Sequence, residues 1–218
     1  LGIGTLALTR EPPGVPLRKQ ENVRESFRAL PGLLRDNPAF ARFFMVGALG
    51  SFGRMAMPFY ILYAGTQMEI SGAMLGVLTT IWMLASTATN VLWGSVADRS
   101  GYRLVLIVTL AMWMLAHVQL LLIEGIAGLI VFFAIFGTAS SGFMQARQNM
   151  VLELGAEEDI PLRVAVSNMA INMVASIGPL LGGVIAVTIG YEAIFAVCIA
   201  VQLLALVIMI GFVPEPRR

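Results

Sequence analysis

Charge is scarce in this 218-residue chain: Asp, Glu, Lys and Arg together make up 12%. A water-soluble domain of this length carries about twice that share. There is one cysteine, Cys198, set inside an apolar run, so no internal disulfide forms and no redox compartment can be read. There is one histidine, His117. One His and one Cys cannot build a metal centre, and nothing in the chain calls for a cofactor. No Asp or Glu stands deep in a long apolar run. A carboxylate that carries a proton inside such a run is therefore not among these residues. The net charge is +1, and its cations are spread rather than clustered, which gives no reason to expect a nucleic-acid partner.

What is there in abundance is apolar: 58% of the residues. About 20 apolar residues cross the hydrocarbon core of a bilayer. Six stretches qualify, at 39–64, 71–97, 103–123, 126–149, 163–189 and 191–213. Lipid offers no hydrogen bonds to a backbone, so each stretch is expected to be a helix. The predicted class is all-α, a polytopic membrane protein with the lipid bilayer as its surroundings. Asn37-Pro38 and Ser71 supply helix starts, while Gly190 and Pro214 supply stops. Short outer connections make neighbouring helices antiparallel. Glycines recur where helices are expected to touch: Gly47, Gly50 and Gly53, the pair Gly72 and Gly76, and the pair Gly178 and Gly182.

The cations fix a topology. Arg10, Arg18, Lys19, Arg24, Arg28 and Arg35 precede the first full run and Arg42 stands at its start. Arg99 and Arg103, Arg147 and Arg163, and Arg217 with Arg218 fall in alternate connections or the tail. The other connections hold Glu69, Glu124 and Glu192 and no cation. Lys and Arg accumulate on the cytoplasmic side. Residues 10–38 and the tail 214–218 are therefore expected inside, with the protein integral to the plasma (inner) membrane. Residues 1–9 read as the end of a preceding transmembrane helix, which makes the chain a fragment. Residues 10–38 read as a cytoplasmic loop: a Pro-rich linker from Glu11 to Pro16, then a short amphipathic helix over 22–30. There Val23, Phe27 and Leu30 share one face, Arg24, Glu25 and Arg28 the other, and Asn22 with Glu25 resembles a capping box. A solvated linker with a transient helix fits these residues equally. Residues 39–213 form the six-helix transmembrane half domain.

Between the second and third runs the chain reads Gly94-Ser-Val-Ala-Asp98-Arg99-Ser-Gly101-Tyr-Arg103. This resembles the G-x-x-x-D-[RK]-x-G-[RK] signature of the major facilitator superfamily at every defined position. Gly94 permits close helix approach, and Gly101 suits a turn with positive φ. Asp98 is placed to accept from a neighbouring helix N-terminus. Arg99 and Arg103 are placed to pair with inner-surface acids, Glu153 among them. In the fifth run, Gly178-Pro179-Leu-Leu-Gly182-Gly183 resembles the second part of the family's G-P-x-x-G-G motif. Val174 stands where an upstream Gly is expected, and ordinary helix packing explains these residues as well. The resemblance implies two six-helix halves joined by a long cytoplasmic loop, with this chain as that loop plus the second half. A complete six-helix protein that pairs with a second copy is the alternative. The implied partners are then an N-terminal half or another copy, and a small-molecule substrate, with H+ or another coupling ion left open.

Arg54 is the cation out of place, near the middle of the first run. Burying Arg at mid-bilayer costs at least about 2.5–3.5 kcal/mol, so such a residue faces a wet cavity or a partner, here as an anion-binding group or as counter-ion to a carboxylate in the other half. It shares a helical face with Gly47, Ser51 and Pro58. In the family the first and fourth helices of a half line the central cavity, and the fourth run here shows Thr138, Ser141, Gln145 and Gln148. Asn168, Asn172 and Ser176 in the fifth run, and Thr79, Ser86 and Asn90 in the second, extend the polar set. Ser and Thr also bond their own backbone, and Asn and Gln also join helices. His117 lies on a helix that is peripheral in the family, as a packed or lipid-edge residue. Trp82, Trp93 and Trp113 read as packing or interfacial anchors. An enzyme of the rhomboid-like protease kind would use Ser140 or Ser141 with His117. At 1.5 Å per residue, His117 lies about 20 Å from the inner helix end and Ser141 roughly 10 Å, so the two do not meet. The expected function is secondary transport by alternating access rather than enzymatic. A non-transporting scaffold or sensor on the same fold is the rival.

Overall fold

The computed structural model describes residues 23–123 and 125–215. The expectations for residues 1–22 (the preceding helix end, the linker and the Asn22 cap), for Glu124 and for Arg217 with Arg218 lie outside the described residues, as do the side chains of residues 23–29. Eight α-helices follow in order among the described residues: α1 Val23–Asp36, α2 Pro38–Phe52, α3 Phe59–Gln67, α4 Gly72–Ser100, α5 Tyr102–Leu122, α6 Gly125–Glu153, α7 Ile160–Thr188 and α8 Tyr191–Phe212. Six segments are long and apolar enough to cross a membrane, the first of them Pro38–Gln67, made of α2 and α3 together.

The helix ends follow local chemistry. The Asn37 side chain accepts from the Phe40 amide at 2.9 Å, and Ser71 accepts from Met74 at 3.2 Å. Gly101 (φ 81°) and Gly190 (φ 121°) take the left-handed turns that reverse the chain. α1 runs past its expected end at Leu30, straight through Pro31. A proline removes one backbone bond, but the ladder resumes beyond it, up to Asn37 N on the Leu33 carbonyl at 3.1 Å.

The first span is broken in its middle. A 3₁₀ turn covers Gly53–Ala56 between α2 and α3. The cause is Pro58, which has no N–H to give to the Arg54 carbonyl four residues back. Met57 N takes that carbonyl instead, at 3.1 Å, and the helix tightens there. The break has a seat. On α7, a Cβ at Gly178 would stand 3.2 Å from the Met55 Cβ, and one at Gly182 2.6 Å from the Phe59 ring. These glycines are therefore contact surface for the broken segment, and Pro179 between them sits inside a continuous α7. Gly183 meets nothing within 4 Å, nor do Gly72 and Gly76. Gly50 and Gly53, in contrast, do mark close approach, to Phe143 and to Gln202.

α6 is the central helix, packed on both α4 and α5, while α8 packs on α5 and α2. Tyr60 of α3 sits at the hub of an aromatic cluster, edge-on to Phe132 (centroids 4.6 Å) and Phe136 (5.2 Å). Its hydroxyl meets His117 Nε2 at 2.9 Å, and His117 Nδ1 meets Gln202 Oε1 at 3.1 Å. An amide oxygen only accepts, so with this Gln202 orientation Nδ1 carries the proton and Tyr60 donates to Nε2. His117 is fully buried, a core residue and not a lipid-edge one. Tyr60→Phe is expected to leave Nε2 without a donor and cost about 1–3 kcal/mol. Thermal unfolding of the purified protein in detergent checks this, with His117→Leu added to the Tyr60→Phe variant restoring part of the loss.

Candidate functional site

Arg54 projects from the 3₁₀ turn into a cavity of about 510 Å³ between the first span, α4, α5 and α6. Drug-sized ligands occupy cavities of this order. Met57, Trp82, Trp113, Phe136 and Met144 form its apolar walls. Ser86 and Asn90 of α4 and Ser140, Ser141, Gln145 and Gln148 of α6 form its polar ones. The tight α4–α6 contact is set by glycine. A Cβ at Gly137 would stand 2.5 Å from the Trp82 carbonyl oxygen, and one at Gly142 2.6 Å from the Trp93 indole. Gly94 faces Gln145 at 3.6 Å on the same measure. The signature glycine thus lies against the cavity wall.

Of the polar residues singled out in the sequence, Arg54, Ser86, Asn90, Ser141, Gln145 and Gln148 meet at this cavity, whereas Thr79 is not in its lining. Ser51 does not: it is buried, and its hydroxyl donates to the Gly47 carbonyl at 2.7 Å. Thr138 is outside the lining as well, and its carbonyl accepts from Trp93 Nε1 at 2.9 Å. Asn168 and Asn172 are on α7, away from the cavity lining, and Ser176 donates to the Asn172 carbonyl. Trp82 and Trp113, expected as packing or anchor residues, are cavity walls.

The protease pairing has no geometric support. Ser140 and Ser141 donate to the carbonyls of Gly137 and Thr138, while His117 is held by Tyr60 and Gln202. The depth comparison itself needs correcting, because α6 extends to Glu153 and puts Ser141 about 18 Å from its end. The bonding, not the depth, separates the two groups.

Two arginines assigned to connections belong inside. Arg147 lies within α6 and is 3% exposed, with its stem against Gly47 and its Nε buried without a hydrogen-bond partner. Arg163 is 1% exposed in α7, and its Nε donates to the Val151 carbonyl near the end of α6 at 3.3 Å. Apolar Val151 and Leu152 beyond Arg147 were the available sign that the helix continues past it.

At the signature turn, Gly101 has the positive φ expected of it. The Glu215 carboxylate occupies the place a Cβ there would take. Arg103 reaches the end of α8. Its Nε donates to the Val213 carbonyl at 2.6 Å and its Nη2 to Ile210 at 2.7 Å, while Arg42 donates to Phe212 at 3.1 Å. The physical reason is that a helix C-terminus leaves carbonyls without partners and carries partial negative charge, which the guanidinium fork fits. Asp98 and Arg99 are exposed in the last turn of α4, and no bond from Asp98 to a helix N-terminus is present among the described residues. Arg103→Ala is expected to cost about 1–2 kcal/mol by uncapping α8. Arg103→Lys, which lacks the fork, should recover only part of it in the same melting assay.

The family model for the Major Facilitator Superfamily matches residues 42–218. Citrate exporter 1 of Aspergillus niger is 23% identical over 155 residues, covering 70% of this chain and 29% of that protein. Its counterpart in a further strain of the same species matches over the same extent. The chain thus spans under a third of the length of the curated relatives it matches.

Proposed function

Because this chain belongs to the Major Facilitator Superfamily, we propose that it forms half of a secondary transporter that moves a small solute by alternating access. One observation carries the reading: a guanidinium on a broken mid-span helix opens into a cavity walled by amides and hydroxyls. A membrane scaffold has no use for a cation about 20 Å from either end of its helix. Broken helices near the midplane are where transporters bind their cargo, because the break frees backbone groups and aims them inward.

The second half of the machine is an N-terminal six-helix half or a second copy of this one. α4 and α7 bury little of themselves within the described chain, and α7 carries the amides of Asn168 and Asn172. These two helices would meet the opposing half, with the solute between. The Asp98–Arg103 turn, tied to the end of α8 by Arg103, would move with this half as one body and face the cytoplasm of the plasma membrane.

The test uses the whole protein in proteoliposomes with Ser141→Cys on the cavity wall. Alternating access predicts that impermeant maleimide reaches that position from both faces, and that transported solute slows the reaction. Labelling from one face only, at every solute concentration, contradicts it. Cys198 is buried and should stay silent.

A further inference from the structure

We propose that the solute held in this cavity is a small organic anion bearing a carboxylate, which pairs with the Arg54 guanidinium. The inference rests on the transport reading and adds the chemical class. Its first support is a charge without a counter-charge. The acidic side chains of the described residues (Asp36, Glu69, Asp98, Glu153, Glu157, Glu158, Asp159, Glu192 and Glu215) all stand at helix ends or in connections. Arg54 stands mid-span, and none of them lines its cavity. A cation withdrawn from bulk water needs a neutralising partner.

A second positive charge stands close by. Arg147 is 3% exposed on α6, between Gln145 and Gln148 of the lining, with its stem against Gly47 of the first span. With no carboxylate in its lining, the Arg54 guanidinium makes the site hostile to a cationic solute. A neutral solute would leave both charges uncompensated. An anion beside Arg54 supplies the missing counter-charge.

The remaining polar atoms favour an acceptor-rich ligand. The Ser140 and Ser141 hydroxyl protons are already committed to the helix carbonyls. The donor-bearing side chains left in the lining are Arg54, the Ser86 hydroxyl, the Asn90, Gln145 and Gln148 amides, and the Trp82 and Trp113 indoles. Trp82 Nε1 is buried with no hydrogen-bond partner. A carboxylate accepts from up to four directions and donates none, which matches this set. The Trp82, Trp113, Phe136 and Met144 walls call for a carbon skeleton, so a bare inorganic oxyanion fits less well.

The experiment follows uptake by the whole protein in proteoliposomes, using labelled succinate, citrate, sulfate, glucose and choline. Arg54→Gln and Arg54→Lys are run beside the unaltered protein. The expected result is accumulation of a carboxylate that Arg54→Gln lowers by about tenfold or more, with Arg54→Lys falling less. Protection of Ser141→Cys from labelling by the same carboxylate, lost in Arg54→Gln, is the second readout. Uptake of glucose or choline alone overturns the class and leaves the transport reading standing. Sulfate alone assigns the site to inorganic anions and overturns the organic class. Equal carboxylate uptake by Arg54→Gln means that Arg54 is not its partner, and overturns the proposal. If no solute moves through correctly folded protein, the transport reading falls and the proposal with it.

Discussion

Replacing Arg54 by Ala is expected to lower solute uptake by about 10- to 100-fold while the protein still reaches the membrane. The magnitude follows from one charge-assisted interaction, worth about 1.5–3 kcal/mol, at about 1.4 kcal/mol per decade. Insertion should not suffer, because removing a mid-bilayer arginine relieves about 2.5–3.5 kcal/mol of insertion cost. The 3₁₀ turn should also persist, since Pro58 and not the Arg54 side chain causes it. Uptake kinetics across a solute panel, normalised to the amount of protein in the membrane, check the prediction. Unchanged kinetics for every solute rule the residue out.

The second large effect is steric. A valine at Gly137 puts carbon 2.5 Å from the Trp82 carbonyl oxygen and 3.1 Å from the Trp82 ring. The obstacle is backbone, so no rotamer change relieves it and α4 has to move off α6. Overpacking of this kind costs about 1–3 kcal/mol or more. The loss falls on the helix pair that builds the cavity, so Gly137→Val should lower both the melting temperature and solute affinity. Gly211→Val, at a position with nothing within 4 Å, is the control and should stay within about 0.5 kcal/mol of the unaltered protein. Equal melting temperatures for the two variants would mean that the α4–α6 contact is looser than described.

The spans were legible because lipid demands length and apolarity, and because Asn37, Ser71, Gly101 and Gly190 punctuate them by local chemistry alone. The break in the first span was foreshadowed by Pro58 beside Arg54. The cavity was legible only in part. A helical stripe groups Ser141 and Gln145 with Arg54, and all three line the cavity, but it groups Thr138 with them as well, because a stripe drawn from sequence is wider than the wall that α4 leaves open. Ser51 shared the Arg54 face on an unbroken helix, and the 3₁₀ turn between them changes that register.

The arginines near helix ends were the harder case. A guanidinium on a long stem can reach out to water or fold back onto a neighbour, and sequence does not say which. Gly47 leaves room for the Arg147 stem, and the end of α6 offers Arg163 a carbonyl, so both turn inward. Arg103 likewise found the carbonyls of α8, more than 100 residues along the chain. The Tyr60–His117–Gln202 network was invisible for a related reason. It needs three helices brought together, with partners 57 and 85 residues apart.

Beneath the cavity, its cation and the proposed motion lies a simple arrangement: helices that cross the bilayer in turn, with every cation-bearing connection on one side. Single cysteines at Glu69 and at Ser100, both exposed at opposite helix ends, probe it in intact cells. Impermeant maleimide should modify Glu69→Cys from outside and reach Ser100→Cys only after the membrane is opened. Labelling of both positions from the same side of the intact membrane would contradict the account.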